Sequence, residues 1–347
     1  NVIGTNVGNF LYLNGVLRSL MIDDNTVIQA NYYNTNYYKP EYVNENFDCF
    51  VIPLADAFRE NFVNELNELT SFVKKLKIPC YVIGVGLKES YEPDFSQSKP
   101  QDEAVKKFVT AVLEKSNCIG VRGELTGKYL ETLGFAEGRD FMVIGCPSMY
   151  MKGKRLHIQN PKLDVNSKVC FNSNVAASVP TRKFIKLKMK EFENHYFIGQ
   201  VVNELRSIYL GAPYEYKIEY NFRNVTDKIY QDGRLRFFCN VPKWMEFLND
   251  SDLTFGSRLH GNIAAVLAGT PALLVTKDSR TRELAEYHHL NAIHESKLNE
   301  KLTLQDLVEQ QDFTQIEKYQ KQNLDRYVAF LKKNDIPNIF MDGEDPQ

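Results

Sequence analysis

The sequence predicts an α/β fold with two doubly wound, Rossmann-like domains that face each other across a cleft. The chain has 347 residues, which suits two domains better than one. Short apolar runs alternate along it with longer segments of helical periodicity, a pattern typical of parallel α/β proteins. A basic, weakly periodic stretch at 152–167 separates the two halves, and we interpret it as the linker.

The first half, residues 1–155, is expected to form an N-terminal α/β domain. Its apolar runs predict strands at 48–55, 80–87, 118–122 and 141–146. Apolar residues that recur every three or four positions predict helices at 10–20, 61–76, 102–115 and 124–133. Gly134 directly follows the last helix, where glycine is the preferred residue.

The second half, residues 165–312, repeats the alternation and is expected to carry the donor anion site. Strands are predicted at 168–174, 195–200, 235–239, 253–256, 271–276 and 292–294. Helices are predicted at 181–192, 201–209, 242–249, 261–268 and 281–288. A long helix at 314–333, within the terminal segment 313–347, could cross back to the first domain.

Composition excludes several classes of protein. Apolar residues make up 43% and charged residues 25%, which fits a globular chain. The 42 basic and 44 acidic residues leave a net charge of -2, so we expect no nucleic-acid partner and only a local anion site. No apolar run is long enough to span a membrane and no leader is evident. We expect a cytoplasmic protein, or one peripheral at the inner face of the membrane. The six cysteines contain no CxxC pair, which favours free thiols.

The strongest chemical signal is the segment Gly256-Ser257-Arg258-Leu259-His260-Gly261, which follows a strand and precedes a helix of small residues. Free N–H groups at a helix N-terminus favour anions. Arginine adds a planar pair of donors, and histidine can donate a hydrogen bond or exchange a proton. The structural alternative is an arginine paired with a nearby acid and a histidine satisfied by the backbone.

A second strand, at 271–276, ends in another charged turn. Lys277, Arg280 and Arg282 lie there, beside an Asp278 that can cap the next helix. Cations are opposed by the dipole in the first turn of a helix, so these arginines need either local carboxylates or an anionic ligand. The sequence leaves both explanations open.

Three segments of the first half are predicted to face the same cleft. The glycine loop at 4–9 opens a helix and contributes Asn6, Gly8 and Asn9. Gly86 follows a strand and would let a ligand approach the backbone, and Arg122 stands at another strand-to-helix turn. Neither glycine loop completes a dinucleotide fingerprint.

Two other interpretations are disfavoured. His288, His289 and His294 lack the spacing and the accompanying ligands of a zinc site, so we predict no metal. Cys146 ends a strand, but the sequence specifies no histidine that would activate it. We therefore favour a structural role over a nucleophile.

Taken together, these segments resemble the polysaccharide pyruvyl transferase family. They occur in the family's order from about residue 1 to 290, and they also include Gly145-Cys146-Pro147-Ser148. Arg258-Leu259-His260 is the most specific of them. Family members commonly carry an acid where this chain has Gly123.

The resemblance implies a glycosyltransferase-B-like fold and a transferase that uses phosphoenolpyruvate as donor, without a cofactor. The acceptor would be a sugar of a polysaccharide or of its lipid-linked precursor, which receives the pyruvyl group as a cyclic ketal. Arg258 and His260 would hold the donor, and His260 is the first candidate for the acid-base group. Lys277 and Arg280 would neutralise the phosphate, and Arg122 would meet the donor carboxylate.

Two alternatives remain at the level of the sequence. One is a glycosyltransferase of the same fold that uses a nucleotide sugar. The other is a non-catalytic glycan-binding protein that has retained the fold.

Overall fold

A computed structural model of the chain describes residues 6–23, 25–28, 38–174, 176–212, 222 and 224–341. Residues 4 and 5 of the first glycine loop and the last six residues of the chain lie outside this described part. None of the described helices combines the length and the apolar composition needed to cross a membrane.

The strands of the first half form two parallel pairs. These are β1 (Phe50–Pro53) with β2 (Cys80–Ile83), and β3 (Ile119–Val121) with β4 (Phe141–Val143). A parallel bridge between Val85 and Val121 joins the pairs. The strand β2 ends four residues before the predicted boundary because Gly84 adopts a φ of 75°. The residues after it stay buried, so an apolar run alone could not show where the strand ends.

The second half contains a six-stranded parallel sheet with the order β10-β9-β8-β5-β6-β7. Its strands are β5 (Val169–Asn172), β6 (His195–Gly199), β7 (Leu235–Phe237), β8 (Leu253–Gly256), β9 (Ala272–Thr276) and β10 (Ala292–His294). Parallel strands in both halves confirm the predicted α/β fold class. The strand order reverses between β5 and β8, and ligands of such sheets bind at the carboxyl ends of the strands on either side of this reversal.

The helices mostly occupy the predicted segments. They are α1 (Gly8–Leu20), α2 (Pro40–Asn46), α3 (Val63–Val73), α4 (Asp102–Leu113), α5 (Glu124–Thr132), α6 (Val179–Met189), α7 (Val202–Leu210), α8 (Lys228–Gln231), α9 (Val241–Asn249), α10 (Leu259–Ala268), α11 (Ser279–His288), α12 (Leu304–Glu309) and α13 (Gln315–Lys333). The sequence missed α2, α8 and α12, which are too short to show a helical period. The predicted start of α10 at residue 261 is two residues late. The helix begins at Leu259, and His260 therefore lies in its first turn.

The apolar core does not stop at the boundary between the halves. One cluster lies within the first half, apart from Tyr287, whereas a larger one combines side chains of both halves. The helix α1 packs against α9, α10 and the short 3-10 turn Pro147–Tyr150. The terminal helix α13 also contacts the first half, because Gln320 donates to the carbonyls of Met149 and Gly153.

A buried carboxylate ties the two halves together. Glu283 of α11 accepts hydrogen bonds from the backbone N–H and the hydroxyl of Thr126, both at 2.9 Å, in the first turn of α5. A β-carbon at Gly123 would lie only 2.9 Å from Cβ of Glu283. The resemblance leads us to expect an acid at position 123, but this chain has glycine there. The carboxylate of Glu283, from the other half, caps the same helix instead.

Burial raises the pKa of Glu283 to about 7, although the bonds from Thr126 and the charge of Arg122 act to lower it. Because the pKa is higher in the folded chain, the stabilisation by Glu283 is complete below its unfolded pKa and is lost as the pH rises to about 7.

Glu283→Gln cannot ionise at this position. We expect its free energy of unfolding to rise relative to that of the wild type by roughly 2–4 kcal/mol between pH 4 and pH 8. Urea unfolding over this pH range measures the difference. Glu286→Gln is the matched control, because Glu286 is exposed and belongs to a surface pair with Arg282. Parallel stability curves for the wild type and Glu283→Gln would contradict the expectation.

Candidate active site

The site lies where the strand order of the large sheet reverses. The loops after β5 and β8 meet there, and Oδ1 of Asn172 accepts a hydrogen bond from the backbone N–H of Arg258 at 2.8 Å. The two strands run so close that a β-carbon at Gly256, whose φ is 159°, would stand 1.9 Å from the carbonyl oxygen of Asn172. Glycine is thus required at the end of β8. The loop that follows lies next to the first half, where Gly8 is close to Cβ of His260.

His260 stands in the first turn of α10 with its ring buried. The ring centroid lies 6.2 Å from that of Tyr12, and Nε2 lies 3.9 Å from Sγ of Cys146. Burial, together with the charges of Arg122 and Arg280, lowers the pKa of His260 to about 3. The imidazole is therefore neutral at physiological pH.

The guanidinium of Arg122 is hydrogen-bonded through Nε, whereas its Nη2 has no partner among the described residues. Its Nε donates to the carbonyl of Gly84 at 2.7 Å, and its guanidinium stands 5.1 Å from the ring centroid of Tyr12. Gly86 makes room for it, since a β-carbon there would come within 2.8 Å of Cδ of Arg122. The side chain is only 1% exposed, yet its Nη2 has no hydrogen-bond partner among the residues that the structure describes. A buried donor without a partner is costly and marks a place for a ligand.

Asp56 stands just after β1 and is surrounded by cations. Its carboxylate lies 3.1 Å from Arg59 and 3.7 Å from Arg280. Burial acts to raise the pKa of Asp56, but the charges of Arg280, Arg59, Arg122 and Lys88 hold it well below its usual range. Asp56 therefore stays ionised among several cations, of which Arg280 also pairs with Asp278.

The N-terminus of α1 meets that of α10 at the site. Oδ1 of Asn6 accepts from the N–H of Gly8 at 2.9 Å, and the carbonyl of Asn6 accepts from the N–H of Asn9. A β-carbon at Gly8 would lie 3.1 Å from Cβ of His260. Neither Val7 before α1 nor Arg258 before α10 makes a side-chain cap, and the side chain of Asn6 bonds to the first turn of α1. The positive dipole ends of both helices therefore lie close to His260.

Backbone bridges connect the halves on two sides of this cluster. Asn6 pairs with Val201 in one bridge, and Ser90 pairs with Asp278 in the other. The bridges fix the spacing between the groups from the first half and those from the second.

Three of the predicted site residues are engaged elsewhere. Arg258 donates from Nε to the carbonyl of Ser173 and pairs through Nη2 with Glu204 at 3.2 Å, which is the structural alternative that the sequence left open. Nζ of Lys277 donates to the carbonyl of Ala176. Arg282 pairs with Glu286 and stacks on Tyr91.

Arg280 is compatible with both explanations that the sequence left open, a local carboxylate and an anionic ligand. It pairs with Asp278 at 3.4 Å and with Asp56, yet its buried Nε has no partner within the described part of the chain.

The three histidines considered for zinc bind different partners. His288 accepts the backbone N–H of Cys146, His289 stacks on Tyr319, and His294 contacts Ser296. Within the described ranges, His, Cys, Asp and Glu do not gather in groups of three that could hold a metal ion.

Sequence reasoning missed Asp56, Tyr12, Lys88 and the contact between Cys146 and His260. Asp56 could have been found by the rule that polar residues after parallel strands share one edge of a sheet. The role of Tyr12 has no local signal, because its hydroxyl donates to the carbonyl oxygens of Leu54 and Ile83, far away in the sequence.

Fold and site together define an α/β protein in which Arg122, Arg280 and His260 converge where the strand order reverses. The chain belongs to the polysaccharide pyruvyl transferase family, whose model matches residues 6–279. None of the curated proteins matches the sequence.

Solved structures with a similar chain path have low sequence identity. An uncharacterised Klebsiella pneumoniae protein aligns with a TM-score of 0.45 at 10% identity, covering 83% of this chain and 89% of its own. UDP-GlcNAc 2-epimerase from Methanocaldococcus jannaschii gives 0.44 at 13% identity, with 84% and 78% covered. MurG from Acinetobacter baumannii gives 0.38 at 9% identity, with 90% and 83% covered.

The pairing of Arg258 predicts a stability defect. Arg258→Gln breaks the pair with Glu204, whose side chain is fully buried, so the variant should lose about 3–5 kcal/mol in urea unfolding. The double variant with Glu204→Gln should recover part of this loss. Arg282→Gln, which breaks a surface pair, is the control and should change stability by less than about 1 kcal/mol. Normal stability of Arg258→Gln would show that the pair is dispensable.

Proposed function

We propose that the chain transfers the pyruvyl group of phosphoenolpyruvate to two hydroxyls of a sugar, forming a cyclic ketal and releasing phosphate. The observation that carries this proposal is Arg122, whose buried Nη2 has no partner among the described residues and which lies close enough to His260 to lower its pKa. The acceptor would be a sugar of a polysaccharide or of its lipid-linked precursor.

The donor carries a carboxylate and a phosphate on the same carbon, C2, so it needs cations on two sides. Arg122 comes from the first half and Arg280 from the second, and both have a buried nitrogen without a protein partner in the described ranges. The dipoles of α1 and α10 add positive potential between them. Lys277 and Lys88 would meet the part of the phosphate nearest to solvent. Arg258 would act indirectly, by holding the turn that carries His260.

The reaction needs a proton for C3 of the donor and loses protons from two hydroxyls. In the first step a sugar oxygen bonds to C2 while C3 takes up a proton. In the second step the other hydroxyl oxygen bonds to C2 and the phosphate leaves. Cations around the phosphate stabilise the charge that develops on it, which is the largest contribution in reactions of this type.

His260 is neutral before the donor binds and becomes a proton donor only afterwards. Its pKa is lowered by burial and by Arg122 and Arg280. A bound trianion would neutralise these arginines and add negative charge beside the ring, and both effects raise the pKa. Binding of the donor would thus protonate His260, which could then supply the proton for the first step. Asp56, which stays ionised, is suited to receive a hydroxyl proton, and Glu283 is the next candidate acid.

Purified protein should release phosphate from phosphoenolpyruvate when hexose acceptors with adjacent hydroxyl pairs are present, and mass spectrometry should detect the ketal. Thermal-shift measurements with phosphoenolpyruvate and with nucleotide sugars separate the proposal from the glycosyltransferase alternative. Stabilisation by nucleotide sugars alone would reject the pyruvyl transfer. Binding without any phosphate release would favour a glycan-binding protein.

Arg122→Lys tests the donor site. Lysine keeps the charge but loses the planar pair of donors, so the affinity for phosphoenolpyruvate should fall by about 10- to 100-fold in calorimetry. Arg282→Lys is the control at an arginine that is already paired, and it should bind normally. Equal affinities of Arg122→Lys and the wild type would place the donor elsewhere.

Calorimetry in two buffers of different ionisation enthalpy tests the role of His260. At pH 8, where the donor phosphate is fully ionised, the wild type should take up protons as phosphoenolpyruvate binds. His260→Asn should bind without this uptake, and its turnover should be lower by about 10²–10⁴. Proton uptake that persists in His260→Asn would transfer the role of the acid to another group, first of all Glu283.

A further inference from the structure

Two buried side chains, those of Cys146 and Ser148, form a row with the half-buried His260. Sγ of Cys146 lies 2.9 Å from Oγ of Ser148 on one side and 3.9 Å from Nε2 of His260 on the other. Cys146 and Ser148 are both fully buried. The turn that carries them is fixed from the second half, because the backbone N–H of Cys146 donates to Nε2 of His288 at 2.8 Å.

The direction of the hydrogen bonds follows from counting protons. Among the described residues, the thiol of Cys146 is the only partner of the Ser148 hydroxyl. If the thiol donated to Ser148, the serine proton would remain buried without an acceptor, at a cost of about 1–3 kcal/mol. If the hydroxyl donates to sulfur instead, the thiol proton is free to point at Nε2 of His260, and no buried proton is left unpaired.

We propose that Cys146 is a positioning residue that fixes His260 in its Nδ1–H tautomer through the hydrogen-bond series Ser148 to Cys146 to His260. A neutral imidazole has one donor and one acceptor nitrogen, so a donor at Nε2 places the ring proton on Nδ1. Nδ1 makes no hydrogen bond to any residue in the described part of the chain, so its N–H is available to a ligand. In the protein without substrate, this neutral histidine at a helix N-terminus thus offers a hydrogen-bond donor without carrying a charge.

Cys146 would thus orient His260, in addition to the structural role that the sequence favoured. Its consequence for catalysis rests on the proposed function, whereas the tautomer itself is a property of the protein without substrate. The two can therefore fail independently.

The experiment is a long-range 1H–15N correlation spectrum of protein with 15N-labelled histidine rings, recorded without substrate at pH 7. The chain has six histidines, and the His260 signals are assigned by their loss in His260→Gln. We expect His260 to show a protonated Nδ1 and an unprotonated Nε2. His288 is the internal control for the fold, since its Nε2 accepts a backbone N–H that no side-chain substitution removes.

Two variants make the test specific. Cys146→Ala removes the donor, so His260 should lose its single tautomer while the His288 pattern is retained. Ser148→Ala should leave the His260 tautomer unchanged, whereas it would change if the thiol donated to the serine in the wild type. A wild-type His260 protonated at Nε2, or an unchanged His260 pattern in Cys146→Ala, would overturn the proposal. If Cys146→Ala does not fold, the wild-type and Ser148→Ala spectra still decide.

The kinetic readout follows if the proposed function holds. Cys146→Ala should lower kcat by roughly ten-fold or more at a nearly constant KM for phosphoenolpyruvate, because the ring remains present but is no longer oriented. A rise in KM with unchanged kcat would contradict a positioning role. Absence of any pyruvyl transfer in the wild type would reject the proposed function but leave the spectra as a valid test of the tautomer.

Discussion

The helix α11 carries most of the polar contacts that join the two halves around the site, and the buried carboxylate of Glu283 is at its centre. Arg280, Glu283 and Tyr287 lie three or four residues apart and thus occupy one face of the helix, and His288 lies next to this face. They contact Asp56, Thr126, the carbonyl of Val143 and the N–H of Cys146, respectively. A single helix face therefore sets the positions of the groups from the first half relative to α10, and the geometry around His260 depends on it.

Burial acts to raise the pKa of both acids of this region, but their final pKa shifts are opposite because the surrounding charges differ. Asp56 has several cations around it and stays ionised, whereas Glu283 is bonded mainly to Thr126 and has a pKa near neutrality. Burial and two of the same cations, Arg122 and Arg280, lower the pKa of His260 by more than Asp56 raises it, so His260 remains neutral. These differences arise from distances of a few ångströms in a medium of low polarity, where Coulomb energies are large.

The sequence predicted the fold class, most of the long elements and the convergence of Arg122, His260 and Arg280, because strand ends and helix starts have local signals. It could not decide whether Arg258 binds a ligand or an acid, since Glu204 is 54 positions away. It also could not link Cys146 to His260, which is 114 positions further on. Pairings between distant segments depend on how two sheets and their helices pack, and a single sequence contains no local signal for that packing.

The order in which these contacts become possible has a consequence for synthesis on the ribosome. Thr126 and Glu283 are 157 residues apart, and Cys146 and His288 are 142 apart. The first half emerges well before α11 exists, so during translation the N-terminal turn of α5 and the loop of Cys146 lack their partners from α11. Contacts of such high sequence separation form late and slowly. We therefore expect the nascent first half to stay incompletely packed, and more prone to aggregation, until the second sheet has been made.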